Sequence, residues 1–221
     1  MKIAILGTGM VGNALGTKLI QQGHEVTMGS RSANNEAATK WASSVGERAK
    51  TATFRDAATF GEIVISCTGG AHSMEALESV GPEPLRGKIL IDVSNPLQPS
   101  DDGTMIMAFC NTESLGEQIQ TAFPWTRVVK ALNTVNCDVM VDPSVVPGDH
   151  HLFICGNDAD AKKEVVKYLG EWFGWKPENI IDMGGIQAAR GTEMMMPLWM
   201  RLFQDVIGHP HFNYRIVIGT R

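Results

Sequence analysis

Long apolar runs are missing from this 221-residue chain. None approaches the roughly 18–20 residues that a bilayer-spanning helix needs. The first apolar stretch, Ile3-Ala4-Ile5-Leu6, stops at Gly7 and is too short for a signal-peptide core. Cysteine is sparse: Cys67, Cys110, Cys137 and Cys155 are scattered and form no Cys-x-x-Cys. That spacing fits neither a disulfide framework nor a zinc site, and points to reduced thiols in a cytoplasmic protein. Positive charge is also short. Charged residues make up 19%, the net charge is −5, and no run of like charges marks a polybasic arm. Nucleic acid and membrane surfaces are therefore not expected partners. Only two tyrosines occur, and neither begins the Tyr-x-x-x-Lys pair used by many carbonyl reductases: Tyr168 is followed four later by Trp172, and Tyr214 by Ile218.

What is present is enough for a core, with 43% hydrophobic residues arranged in alternating patterns. Short buried strands are expected at Lys2–Leu6, His24–Met28, Glu62–Cys67, Lys88–Val93, Arg127–Ala131, His151–Cys155 and Ile180–Met183, with a weaker one at Thr51–Phe54. Between them, helical spacing appears at Met10–Gln22, Glu36–Val45, Ser73–Val80, Ser114–Ala122 and Asp158–Phe173. Gln98–Thr104 reads as a polar loop and Asn133–Gly148 as irregular chain. This alternation predicts a Rossmann-type α/β fold, doubly wound around a mostly parallel sheet, over residues 1–183. Residues 184–221 read as a C-terminal appendage that contributes to an acceptor site or a dimer. In it, Ile186–Ile207 is helical in pattern with a break expected at Pro197, and Phe212–Ile218 is a weak strand or an extended tail.

Gly7-Thr8-Gly9-Met10-Val11-Gly12 matches Gly-x-Gly-x-x-Gly between a strand and a helix, the context a dinucleotide site requires. Gly7 permits the turn, Gly9 lets backbone approach a pyrophosphate, and Gly12 allows close packing of helix on strand. The helix N-terminus offers free amides to phosphate. The competing reading is a tight turn with no ligand. At the end of the second strand, where an NAD site carries Asp or Glu, stand Gly29-Ser30-Arg31-Ser32. A guanidinium there suits the 2′-phosphate of NADP. Thr68-Gly69-Gly70, Ser94-Asn95-Pro96 and Lys130-Ala131-Leu132-Asn133 close three more strands with small or polar residues, leaving room for a nicotinamide and its ribose. They are also common turn formers. The His150-His151 and His209–His211 pairs read as solvated loop histidines, Met194–Met196 as adaptable packing against a flat ring, and Cys67 as inert in its apolar strand. No catalytic or metal-ligating residue is assigned. Hydride transfer between two redox rings asks only that the protein stack them.

These features converge with Ile3–Gly12, Gly29–Arg31, Val128–Val135, Asp182–Glu193 and Pro197-Leu198-Trp199 on a known pattern. From Lys2 to about Val217 the chain resembles the NADP-dependent oxidoreductases typified by the coenzyme F-420 (deazaflavin) reductase, and the reductase part of the STEAP metalloreductases. The resemblance implies that Thr8, Ser30 and Arg31 contact NADP, with Ala131 and Asn133 beside the nicotinamide and the partner ring stacked there. It implies a homodimer and an acceptor among F-420, FMN and FAD. The sequence departs from that pattern at Thr68–Gly70 and in a polar insert around Gln98–Thr112. Two rivals stand beside it: an imine or carbonyl reductase similar to pyrroline-5-carboxylate reductase, and a non-catalytic NADP(H)-sensing protein.

Overall fold

Ile3, Ala4, Ile5 and Leu6 are all fully buried in the first strand, β1 (Lys2–Leu6). Burial on both faces is what a parallel strand flanked by helices demands. Ile3 and Ile5 enter one hydrophobic cluster, and Ala4 and Leu6 enter another on the opposite face of the sheet. The computed structural model describes residues 1–220.

After β1 come α1 (Met10–Gln21), β2 (Glu25–Ser30), α2 (Glu36–Val45), β3 (Ala49–Thr53), α3 (Phe54–Phe60), β4 (Ile63–Ser66), α4 (Ser73–Val80) and β5 (Ile89–Asp92). A small antiparallel pair, β6 (Leu97–Pro99) and β7 (Met105–Met107), precedes α5 (Leu115–Ala122) and β8 (Arg127–Ala131). The main sheet has eight strands in the order β10-β9-β8-β5-β4-β1-β2-β3, with β9 at Leu152–Cys155 and β10 at Ile180–Asp182. From β3 to β8 every neighbouring pair is parallel. This is the doubly wound Rossmann order. The order reverses at β1 and β4, so the cleft opens beyond their carboxyl ends.

Several elements depart from the sequence-based expectation. β9 runs antiparallel to β8, because the chain returns through α6 (Cys137–Val141) without a crossover helix, whereas β10 is parallel to β9 across α7 (Ala159–Phe173). α6 lies in the stretch read as irregular, and Asn136 caps it. The strand placed at Thr51–Phe54 ends at Thr53, where α3 begins. Thr53 Oγ1 accepts from the Asp56 amide at 3.2 Å and donates to its carboxylate at 2.7 Å, a cap written in Thr-Phe-Arg-Asp. The stretch read as a polar loop forms the β6–β7 hairpin.

In the appendage the break falls at Met194, between α8 (Ala189–Glu193) and α9 (Met195–Arg201). Pro197 thus sits in the first turn of α9, where its missing N–H costs nothing. Wider turns continue over Leu202–Ile207. The segment at Phe212–Ile218 is extended chain without strand pairing. It is held by the His150-His151 pair, which is therefore not a pair of solvated loop residues. His150 is buried, with Asn213 Nδ2 at 2.8 Å; the His151 amide donates to the Tyr214 carbonyl at 2.8 Å, and the Ile216 amide donates to His151 Nδ1 at 3.0 Å. Among the described residues no helix is long and apolar enough to cross a membrane, and no His/Cys/Asp/Glu cluster suits a metal.

Candidate functional site

Gly7 has φ +125°, and a side chain there would strike the Cys67 carbonyl oxygen at 2.7 Å. Only glycine makes this turn. A Cβ on Gly12 would stand against the Gly7 carbonyl, so the first turn of α1 closes tightly on the loop. Gly9 is different: nothing lies within 4 Å of where its Cβ would be. The loop there borders open space.

That space consists of two cavities that share Gly9, Thr68 and Gly69 on their walls. The first, about 300 Å³, is also lined by Gly7, Thr8, Ser30 and Arg31. An adjoining hollow of about 240 Å³ adds Arg55, from the first turn of α3, to Ser30 and Arg31. Arg55 Nη1 donates to the Val80 carbonyl at 2.8 Å, which holds its guanidinium in place. Neither Arg31 nor Arg55 has a carboxylate partner among the described residues. Two unneutralised guanidinium groups on one hollow favour an anion. Arg55 was missed in the sequence because α3 was missed, although the Thr-x-x-Asp cap was there to be read.

The second cavity, about 470 Å³, is lined by Met10, Val11, Asn95 and Asn133, and by Met196 and Trp199 from the appendage. Asn95 Nδ2 donates to the Asn133 carbonyl at 2.8 Å, and Asn133 Nδ2 donates to Asn95 Oδ1 at 2.9 Å. The chain reaches this pairing through Leu132, at φ +65°, a strained turn for a branched residue. Met196 and Trp199 place the methionine-rich segment at the cavity. Gly12 and Ala131 line neither cavity; Ala131 is fully buried and paired with Ile154.

Beneath the asparagines lies a buried charge network that sequence reading did not isolate. Lys130 Nζ lies 2.8 Å from Asp92 and 2.7 Å from Glu193, and it donates to the Ser94 carbonyl. Burial alone would depress the Lys130 pKa, but the two carboxylates outweigh it and raise it. Asp92 accepts from the Ser94 amide at 3.0 Å. Glu193 accepts from the Leu115 and Gly116 amides at 2.9 and 3.1 Å, at the start of α5. Arg190 grips Glu117 through two bonds of 2.8 and 2.7 Å. The appendage is thereby fastened to the sheet directly under the second cavity.

Among the described residues, the ionisable side chains on that second wall are two thiols, Cys67 and Cys137. Burial pushes both upward, with Asp92 adding to the effect at Cys67 and Asp138 at Cys137, so both stay protonated and unreactive. Cys67 follows β4 and does not lie within it.

Residues 2–96 match the family model described as NADP oxidoreductase, coenzyme F420-dependent. The F420-dependent NADP reductase of Methanocaldococcus jannaschii is 30% identical over 211 residues, spanning 91% of this chain and 92% of that protein. The chain belongs to this family. It is an NADP-dependent oxidoreductase. A solved structure from Arthrobacter sp. FB24, named as a candidate F420-dependent NADP-reductase, superposes on this family member with a TM-score of 0.92 and 43% identity, covering 99% of this chain and 100% of the other. The rat metalloreductase STEAP3 is 28% identical across 90% of this chain, which corresponds to 38% of STEAP3. Imine reductases and reductive aminases, at 16–19% identity, share the fold.

Proposed function

We propose that this NADP-dependent oxidoreductase moves a hydride between NADP(H) and the ring of a flavin or deazaflavin, namely F-420, FMN or FAD. The observation that carries the reading is the second cavity, which adjoins the glycine loop yet offers no ionisable proton donor beyond two suppressed thiols. A carbonyl reductase needs an acid for the developing alkoxide. A redox ring accepts hydride directly and takes its proton from water.

In this assignment the dinucleotide spans both cavities. Amides of Gly7, Thr8, Gly9, Met10 and Val11 at the start of α1 receive the pyrophosphate. The open space at Gly9 fits that role. Ser30, Arg31 and Arg55 take the 2′-phosphate. Thr68, Gly69, Asn95 and Asn133 flank the nicotinamide and its ribose. Gly12 and Ala131 act as packing under the site. The appendage supplies Met196 and Trp199 as the far wall against the second ring. A second copy of the chain is assigned to the exposed Met194, Leu198 and Val206, and a monomer in sedimentation would remove that assignment. The four free thiols suit a cytoplasmic setting.

The test is NADPH oxidation without oxygen, offered F-420, FMN, FAD and a cyclic imine in parallel. Reduction of a flavin or deazaflavin supports the reading. Turnover of the imine alone replaces it with imine reduction. Tight NADPH binding with no acceptor reduced makes the protein a sensor.

A further inference from the structure

We propose that the indole N–H of Trp199 is the hydrogen-bond donor to a carbonyl oxygen of the acceptor ring, a group that F-420, FMN and FAD share. The proposal rests on the hydride-transfer reading above and assigns one contact within it. Two polar side-chain atoms of residues on the wall of the second cavity are buried with no hydrogen-bond partner among the described residues: Trp199 Nε1 and Asn133 Oδ1. The hydroxyls and other amides of that wall are engaged. Thr68 Oγ1 lies 2.9 Å from Ser73 Oγ, Ser94 Oγ donates to the Ser66 carbonyl at 3.4 Å, Asn95 is paired with Asn133, and Asn136 Oδ1 accepts from the Asp138 amide at 3.0 Å. A buried donor left unpaired is costly, so a ligand atom that accepts from it removes that cost on binding.

The two unpaired atoms are of opposite kind. Asn133 Nδ2 is committed to Asn95 Oδ1, so Asn133 Oδ1 can only accept, which suits the carboxamide N–H of the nicotinamide beside it. Trp199 Nε1 can only donate, which suits a carbonyl. Its ring is also held in place. The Phe203 and Phe212 rings each lie 5.4 Å from it, inclined at 34° and 21°. Phe212 is fixed in turn by the next residue, since Asn213 Nδ2 donates to the His151 carbonyl at 2.9 Å. The extended tail thus pins an indole of the appendage, and a donor fixed before binding loses little freedom on meeting its partner.

The contact also bears on the reaction. Hydride leaves NADPH, which becomes NADP⁺, and forms a bond at N5 of a flavin or C5 of a deazaflavin. The electron pair displaced in the ring spreads toward its N1 and carbonyl oxygens, and a proton from water completes the dihydro form. No other oxidant or reductant is needed. A fixed N–H at one of those oxygens binds more strongly as charge develops there.

The experiment follows the indole N–H resonances of the nitrogen-15-labelled protein, which has five tryptophans. That of Trp199 is identified by its proximity to the Phe203 and Phe212 rings. It should stay in place when NADP⁺ is added and move downfield when FMN or F-420 follows. In parallel, Trp199→Phe should lower kcat/KM for FMN and F-420 at least about fivefold, with the NADPH dissociation constant within about twofold of the parent. A resonance that the acceptor does not move, or a variant with parental kcat/KM, overturns the proposal and leaves hydride transfer standing. So does a resonance that moves fully with NADP⁺ alone, which would give the N–H to the nicotinamide carboxamide. If NADPH binds but F-420, FMN and FAD are all left unreduced, the hydride-transfer reading falls and takes the proposal with it.

Discussion

The first cavity is built largely at strand ends, with Gly7 after β1, Ser30 and Arg31 at the end of β2 and Thr68 just beyond β4, and is closed by Phe54 of α3 and Glu75 and Ser79 of α4. The second is assembled from side chains borne on segments as distant as Val11 and Trp199. The first needs the sheet edge and the two helices, α3 and α4, that pack beside it. The second needs the appendage fastened in place, and a buried lysine with two carboxylates does this. One cavity is shaped by local chain geometry with arginines at its far end; the other by long-range packing with a neutral wall. The first therefore tolerates change in the appendage better than the second, and its ligand preference is set by few residues.

The comparison is tested most severely at the network. Lys130→Met leaves Asp92 and Glu193 buried with no cation. The expected cost is about 3–5 kcal/mol, read as a large drop in melting temperature. Adding Asp92→Asn and Glu193→Gln to Lys130→Met should recover much of the loss. If the triple variant melts with the single one, the ion pairs are not what holds the appendage.

Next in size is the glycine loop. Gly9→Val should melt like the parent, since its side chain enters open space at an ordinary φ of −80°, while NADPH affinity falls at least about 100-fold, or ~2.7 kcal/mol. Gly12→Val should instead lose about 1–3 kcal/mol of stability by overpacking. Calorimetry and NADPH titration on the two variants separate these effects, and equal melting losses would reduce the loop to a structural turn.

Smaller effects are expected at the arginines. Arg31→Gln and Arg55→Gln should each weaken NADPH binding about tenfold, ~1.4 kcal/mol, with NADH binding little changed. Equal losses for both nucleotides at Arg55 would show that it only braces Val80.

The smallest effect sharpens the picture of the appendage. Hydrogen bonds from Arg190, and then from Ser114, hold the Glu117 carboxyl below its ordinary value of 4.5. A depressed folded-state pKa means stability present above the unfolded value and lost as pH falls through the folded one. Arg190→Gln should therefore lower the melting temperature only slightly at neutral pH, since this partly exposed pair is screened by solvent. The difference from the parent should fade as the pH drops below 4.5. A difference that persists unchanged in acid would assign the loss to packing instead.

Much of this was legible from local pattern. β1, the glycine loop and α1 announce themselves because turn, amide donors and helix period are properties of adjacent residues. Ser30-Arg31 also stands out locally, at a strand end without a carboxylate, and the structure puts both residues on the first cavity. α3 and Arg55 stayed hidden because a seven-residue helix shows its one apolar face, Phe54, Ala57 and Ala58, for barely a single repeat, and only the Thr53–Asp56 cap marks it. The hairpin was obscured by Ser100–Thr104, whose polar composition hides the short strands on either side. His150-His151 looked like a solvated loop, since the extended chain that covers it lies about 60 residues further on.

The sequence by itself determined the doubly wound sheet and the loop at Gly7–Gly12, because each depends on spacing within a few residues. Only the tertiary structure decided that Arg55 joins Arg31, that Lys130 is buried between Asp92 and Glu193, and that Met196 and Trp199 close the second cavity. Those relations depend on which buried charges find partners and which faces meet once the chain has folded. One-dimensional pattern carries no measure of either.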